Sequence, residues 1–316
     1  MLRVAILGAG GIGCYYGARL QNAGHKVVYV ARGEHLDALS SSGLTLNHPD
    51  FTFKGKVTAC SLSSLVEQHK PTDFDIYLLC VKATATQQVA KILQAWINQF
   101  QEPITLISLQ NGVDNEIILK KYLLNSKVVG GLAVRIGGHI TKPGTVQAKG
   151  AAQLIIGQWP HANEKQNSQL VAWSHIFEQA NIPTQVVNNI RFELWRKLLI
   201  NNGVNPLSAL TGLDTKKLTH HPHFGKIVYQ LMQEVAQVSV VDHEELTTKD
   251  VDEMYHLIRT FEPIKTSMLV DYEKGRNLEL DEICGAILKR SKVINISVPY
   301  TEVVNALLEH KLKNKA

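Results

Sequence analysis

No stretch of this sequence approaches the roughly 18 consecutive apolar residues that a membrane-spanning helix requires, so no membrane association is expected. Cysteine is scarce too. Cys14, Cys60, Cys80 and Cys284 form no CxxC pair and no metal-ligand spacing. Neither a disulfide framework nor a metal site is expected; the pattern suits reduced thiols in a cytoplasmic protein. Charge of one sign is not in excess, with 33 basic against 28 acidic residues and a formal net charge of +5. The basic residues are scattered rather than striped, which argues against a nucleic-acid partner. A mild positive field still favours an anionic cofactor or substrate. The apolar start Met1–Leu7 runs straight into glycines without a cleavage-site layout, and reads as a first strand rather than a signal peptide. There is no low-complexity segment, no internal repeat and no linker rich in Gly, Ser or Pro.

What is present is a chain of 316 residues, 45% apolar and 19% charged, long enough for two domains with sizeable cores. Strand-like runs at Arg3–Leu7, Lys26–Ala31, Asp75–Val81, Ile104–Leu109 and Val128–Val134 alternate with helical stretches at Ile12–Asn22, Ala83–Phe100 and Asp114–Leu123. That alternation predicts an α/β, Rossmann-like, doubly wound and largely parallel sheet. Two further β-like runs, Gly144–Ala148 and Gln153–Ile156, are expected as hairpins at the sheet edge. A helix at Gln166–Gln179 and a strand at Thr184–Val187 close the domain. Beyond about Asn189 long apolar-periodic segments take over: Phe192–Asn205, Phe224–His243, Lys249–Ile258, Ile264–Lys274, Glu279–Ile294 and Thr301–Glu309. The expected organisation is a dinucleotide-binding domain over residues 1–188 and an all-helical domain over 189–316.

Gly8-Ala9-Gly10-Gly11-Ile12-Gly13 is a G-x-G-x-x-G signature placed between a strand and a helix, the context that gives it meaning. Gly8 permits the tight turn, Gly10 lets backbone approach a pyrophosphate, and Gly13 lets the helix pack near the sheet. The second strand ends in Val30-Ala31-Arg32-Gly33, without the acid that would bond a ribose 2′-hydroxyl. Arg32 instead offers a fork for a 2′-phosphate, so NADPH is the expected cofactor. A solvated loop charge is the plainer reading of Arg32, and Glu34 is a rival acid. Lys82 and Asn111 follow two later strands, where ligands of open α/β sheets collect. Asn111-Gly112 is also a generic turn, and Lys82 alone would pass for a surface lysine.

In the helical half, Lys197, Asn201 and Asn205 recur every four residues and share one helix face. One cation above two amides suits a polar ligand; a solvent-facing stripe has the same spacing. Pro206 is expected to end or kink this helix near Asn205. Further on, Gly275 reads as a helix C′ residue and Asn277 as the next N-cap, which puts Glu279 in a first turn. The macrodipole favours an ionised carboxylate there, able to accept from a substrate hydroxyl or position Lys197; ordinary dipole complementation is the simpler reading. The cluster His220-His221-Pro222-His223 has no matching carboxylate or cysteine, and reads as a loop rather than a metal site.

Taken together, the glycine fingerprint, Arg32, Lys82, Gln110-Asn111-Gly112, the Lys197/Asn201/Asn205 helix, Ser267-Met268-Leu269 and Glu279 resemble the ketopantoate reductase family over nearly the whole chain. The resemblance implies a Rossmann domain followed by a helical domain related to that of 6-phosphogluconate dehydrogenases, with the active site in the cleft between them. It implies Lys197 as catalytic lysine and Glu279 as its acidic partner. Asn201, Asn205 and Ser267 would hold the substrate. Lys82 and Asn111 would line the nicotinamide side, Asn111 and Glu279 serving both ligands, and Arg32 would recognise the 2′-phosphate. The implied activity is NADPH-dependent reduction of 2-dehydropantoate to pantoate, on the way to pantothenate and coenzyme A. The implied partner is a small 2-oxo acid, acted on by a monomer or homodimer. Two rival readings are a reductase of another 2-oxo acid and a non-catalytic NADP(H)-binding sensor.

Overall fold

Apolar runs bounded by glycines and helix caps set the frame of this chain, whose computed structural model describes residues 1–160 and 164–314. The expected end of the second domain, at 316, lies outside the described residues. The chain starts as β1 (Arg3–Leu7), α1 (Gly11–Asn22), β2 (Lys26–Val30) and α2 (Gly33–Ser42). Then come β3 (Leu44–His48), β4 (Phe51–Gly55), β5 (Thr58–Cys60) and α3 (Leu62–Gln68). Next are β6 (Ile76–Leu79), α4 (Thr86–Phe100), β7 (Thr105–Ser108) and α5 (Asn115–Tyr122). The series closes with β8 (Lys127–Val134), β9 (Gly137–Lys142), β10 (Thr145–Lys149), β11 (Gln153–Gln158), α6 (Glu164–Gln179) and β12 (Thr184–Val186).

Eight strands form one sheet in the order β12-β11-β8-β7-β6-β1-β2-β5. Its centre is parallel: Leu7 pairs with Val30 on one side and with Leu79 on the other. Helices cover both faces of such a sheet, so the central strands need apolar residues throughout rather than alternation. Val4, Ala5, Ile6, Ile76, Tyr77, Leu78 and Leu79 are accordingly all fully buried. The mixed parallel sheet is thus Rossmann-like, as its apolar runs predict.

Of the expected edge hairpins one forms, β9 with β10, but not on the main sheet. Strand β11 enters the main sheet antiparallel to β8. Strand β10 leaves it for a second sheet of order β4-β3-β10-β9, pairing parallel to β3 and antiparallel to β9. Pairing with β3 joins residues about a hundred positions apart, which no local pattern signals.

The helical half contains α7 (Ile190–Thr211), α8 (Thr215–His220), α9 (Phe224–Ser239), α10 (Thr248–Arg259), α11 (Ser267–Glu273), α12 (Leu280–Ile294) and α13 (Pro299–Lys313). By its contacts the chain divides into Met1–Gln110 with Asn115–Ile190, and Asn111–Asp114 with Arg191–Ala316. The short segment Asn111–Asp114 therefore clusters with the helices. No helix among the described residues is long and apolar enough to cross a membrane.

Helix α7 does not end near Asn205 but runs through Pro206 to Thr211. The missing N–H and ring clash cost about 3 kcal/mol in a helix interior. Continuing buries Leu207, Ser208 and Ala209, and a buried leucine alone returns roughly 1.5–3 kcal/mol. The Lys311 ammonium also donates to the carbonyls of Ala209 and Leu210, satisfying groups that a helix end leaves open.

A second correction concerns Glu279. Gly275 does take the left-handed backbone (φ +65) expected after α11, but Asn277 caps nothing. Helix α12 starts only at Leu280, with Glu279 at its N-cap and no capping bond from the Glu279 side chain. Leu278, Glu279 and Leu280 are all buried, so packing rather than capping places this stretch.

Candidate active site

Parallel strands bring their carboxyl ends to one edge of the sheet, and the glycine-rich turn, Arg32 and Lys82 lie at that edge after β1, β2 and β6. Gly8 has φ +103, and a Cβ on it would lie 2.7 Å from the Val81 nitrogen, so only glycine fits this turn. A Cβ on Gly13 would lie 2.2 Å from the Gly8 carbonyl oxygen, which keeps α1 close to the strand. The open side of Gly10 has no atom within 4 Å. Gly10 is also the N-cap of α1 and has no side chain to satisfy the first-turn N–H groups. A helix N-terminus of this kind is a ready anion site, so these residues fit a dinucleotide pyrophosphate.

Arg32 is the N-cap of α2, exposed and, among the described residues, in no ion pair. Glu34 is exposed in the same turn. Lys82 is exposed at the start of a short 3-10 turn over Ala83–Ala85. Gln110 is buried and donates to the Val81 carbonyl (3.1 Å) and to Thr86 Oγ1 (2.7 Å).

His35 escaped the sequence reading. It is buried beside the glycine-rich turn, with Nε2 2.9 Å from the Ala9 carbonyl and 3.7 Å from Cys14 Sγ. Its Nδ1 accepts from the Gly144 N–H at 3.1 Å. That acceptor role places the ring proton on Nε2, where it donates to Ala9. Burial pushes the imidazole below its ordinary pKa, with the Ala9 bond opposing. The only sequence signal was a histidine in the first turn of α2, which is indistinguishable from a surface position.

In the helical unit, Lys197, Asn201 and Asn205 do lie along one continuous helix, α7. Asn201 and Asn205 are buried and Lys197 is half-buried. Desolvation brings the Lys197 ammonium down to about 8, partly offset by attraction to Glu279. Glu279 accepts a hydrogen bond from Asn111 Nδ2 at 3.2 Å. Asn201 Nδ2 has no hydrogen-bond partner among the described residues. Buried amides rarely stay unsatisfied in folded proteins, so this donor suits a bound ligand.

Lys197, Glu279 and Asn111 are therefore brought together, with Asn201 and Asn205 on the same helix face as the lysine. Ser267 is not drawn in. It is exposed at the start of α11, while its neighbour Thr266 supplies the helix cap. The histidine cluster has a local use: His221 Nδ1 accepts from the N–H groups of His223 and Phe224 at the entry to α9.

Chemically, the helical unit combines an ammonium lowered to about 8, a carboxylate and amide donors. Such a set can protonate a developing oxyanion while fixing a polar substrate.

Comparison with known proteins gives one consistent picture. The family described as "Ketopantoate reductase PanE/ApbA" matches residues 4–161, and its C-terminal counterpart matches residues 189–312. A 2-dehydropantoate 2-reductase of Archaeoglobus fulgidus is 30% identical over 93% of this chain and 92% of its own length. Another, from Pyrococcus abyssi, is 27% identical over 99% of this chain and 98% of its own. Among solved structures, a PanE/ApbA family ketopantoate reductase from Ralstonia eutropha superposes with a TM-score of 0.87 at 29% identity, covering 99% of both chains.

Proposed function

The chain belongs to the ketopantoate reductase family of oxidoreductases, and from that membership we propose that it reduces 2-dehydropantoate to pantoate with NADPH. In this reading the sheet-containing unit binds the cofactor and the helical unit supplies the substrate site, serving pantothenate and coenzyme A synthesis. The observation that carries it is the Lys197 ammonium lowered to about 8 beside Glu279, on a helix whose next two turns offer Asn201 and Asn205.

The glycine-rich turn, the uncapped start of α1 and the exposed Arg32 guanidinium would hold the dinucleotide and its 2′-phosphate. When bound, NADPH supplies a hydride to the 2-oxo carbon. Negative charge then develops on the carbonyl oxygen, and the Lys197 ammonium stabilises it and donates a proton. Lys197 regains that proton from solvent. A pKa near 8 suits this task, since the group is mostly protonated at neutrality yet gives up its proton more readily than an ordinary lysine. Asn201 and Asn205 would fix the substrate's polar groups, and Glu279, steadied by Asn111, would accept from its hydroxyl. Ser267 would join only if a ligand or a small movement engaged it.

The test is NADPH oxidation followed at 340 nm with ketopantoate, with other 2-oxo acids and with none. Rapid oxidation only with ketopantoate supports the assignment. Preference for a 2-oxo acid lacking the terminal hydroxyl would move it to another reductase of that class, and the absence of oxidation with every substrate would leave a nucleotide-binding protein.

A further inference from the structure

Helix α12 reaches the segment Asn111–Asp114 twice. At its N-cap Glu279 accepts from Asn111 Nδ2 (3.2 Å), and in its last turns Arg290 Nη2 donates to Asp114 Oδ1 (2.7 Å). Arg290 is buried, and the same guanidinium donates to Asp242 Oδ2 through Nη2 (2.6 Å) and Nε (3.0 Å). Nη1 donates to the Ala286 carbonyl (3.3 Å), within α12. Its Cζ lies 5.2 Å from the centroid of the Trp195 ring, on the helix that carries Lys197. Asp242 in turn offers its carbonyl to Arg191 Nη1 (2.9 Å) at the start of that helix. Between the two tied ends, Gly112 has φ +97 and Val113 is 1% exposed, so the segment is pinned rather than loose.

We propose that Arg290 is a positioning residue for the candidate site: its Asp114 arm holds Asn111 in line with Glu279, while its Asp242 arm serves stability alone. A buried guanidinium needs its charge balanced and its donors used, and two carboxylates do both. The two arms lead to different places, however. The Asp114 arm ends on a residue that shares a short, pinned segment with Asn111. The Asp242 arm ends on a 3-10 turn, Val240–Asp242, that contributes no residue to the site. If the first arm fails, Asn111 loses its register, and misplacement by about 1 Å at such a contact costs up to roughly a hundredfold in rate. This inference rests on the proposed reductase activity for its kinetic readout, but not for its structural one.

The test compares Asp114→Ala, Asp242→Ala and Asp114→Asn in the full chain. Thermal midpoint, kcat and KM for ketopantoate, the dissociation constant for NADPH and amide exchange at residues 112–114 are measured for each. Both alanine variants should lose thermal stability. Only Asp114→Ala should lose kcat/KM by roughly tenfold to a hundredfold and exchange faster at residues 112–114. Asp242→Ala should stay within about threefold of the parent in kcat/KM, since its arm touches no site residue. Asp114→Asn, which keeps an oxygen acceptor, should recover part of the rate. Losses of kcat/KM that merely track thermal midpoint in both alanine variants would overturn the proposal, as would unchanged exchange at 112–114 in Asp114→Ala. If the parent reduces no 2-oxo acid but exchange accelerates only in the Asp114 variants, the tie stands and the assigned activity falls.

Discussion

Asn111 Nδ2 and Glu279 Oε2 lie 3.2 Å apart although 168 positions separate them in the chain. The amide occupies one carboxylate oxygen and leaves Glu279 its attraction for Lys197, which holds the lysine's pKa higher than burial alone would. Glu279 thus accepts from one side chain and raises the pKa of another at once.

Reduction by the parent protein should decline as pH rises through about 8, the value to which Lys197 is lowered, because the neutral amine has no proton to donate. Lys197→Ala should lose roughly a hundredfold or more in kcat and lack that alkaline limb, with NADPH affinity retained. A pH–rate profile for both proteins decides this, and an unchanged limb in the alanine variant would assign the acid elsewhere.

Glu279→Gln keeps the shape and removes the charge that raises the Lys197 pKa. The alkaline limb should therefore move to lower pH, below about 8. Use of ketopantoate should fall more steeply than use of a 2-oxo acid without the hydroxyl, and NADPH binding by fluorescence titration should hardly change. Equal losses on both substrates would remove the hydroxyl contact while leaving the pKa effect testable.

Arg32→Ala should raise the KM for NADPH while sparing NADH. A charge-assisted contact is worth about 1.5–3 kcal/mol, which corresponds to roughly tenfold to a hundredfold. Parallel loss with both cofactors would mean that Arg32 reads the shared pyrophosphate.

His35→Phe removes the bond to Ala9 in the glycine-rich turn and the acceptor for Gly144 in the β9–β10 turn, so His35 no longer ties the two together. At about 1 kcal/mol for each hydrogen bond, both NADH and NADPH should bind roughly fivefold to thirtyfold more weakly. Protonation has a related effect. The folded state holds His35 below 6.5, so between 6.5 and that lowered value the unfolded chain binds more protons, and stability is lost as pH falls through the window. NADH titrations and thermal midpoints between pH 7 and pH 5 check both; an NADH affinity untouched by the substitution would reduce His35 to a filler of the fold.

The amino-acid sequence by itself determined those features whose cause is local. Alternating apolar runs specify the parallel sheet, because strands buried on both faces must be apolar throughout. The glycine spacing specifies the turn at Gly8–Gly13, where steric room is the whole requirement. The four-residue interval puts Lys197, Asn201 and Asn205 on one helix face, since helix geometry alone decides it. Tertiary structure decided the rest. Whether α7 stopped at Pro206 depended on burial beyond the proline, which outweighs a lost hydrogen bond. Whether Glu279 sat in the first turn depended on the packing of Leu278 and Leu280, which delays the start of α12, and its carboxylate instead accepts from Asn111. The exposure of Ser267, the second sheet that captures β10, the clasp of His35 on Ala9 and the fork of Arg290 are likewise settled by partners far away in the chain. A residue's periodicity says which face it occupies, but only the packed fold says what lies opposite, and it is the opposing group that sets a pKa, a register or an orientation.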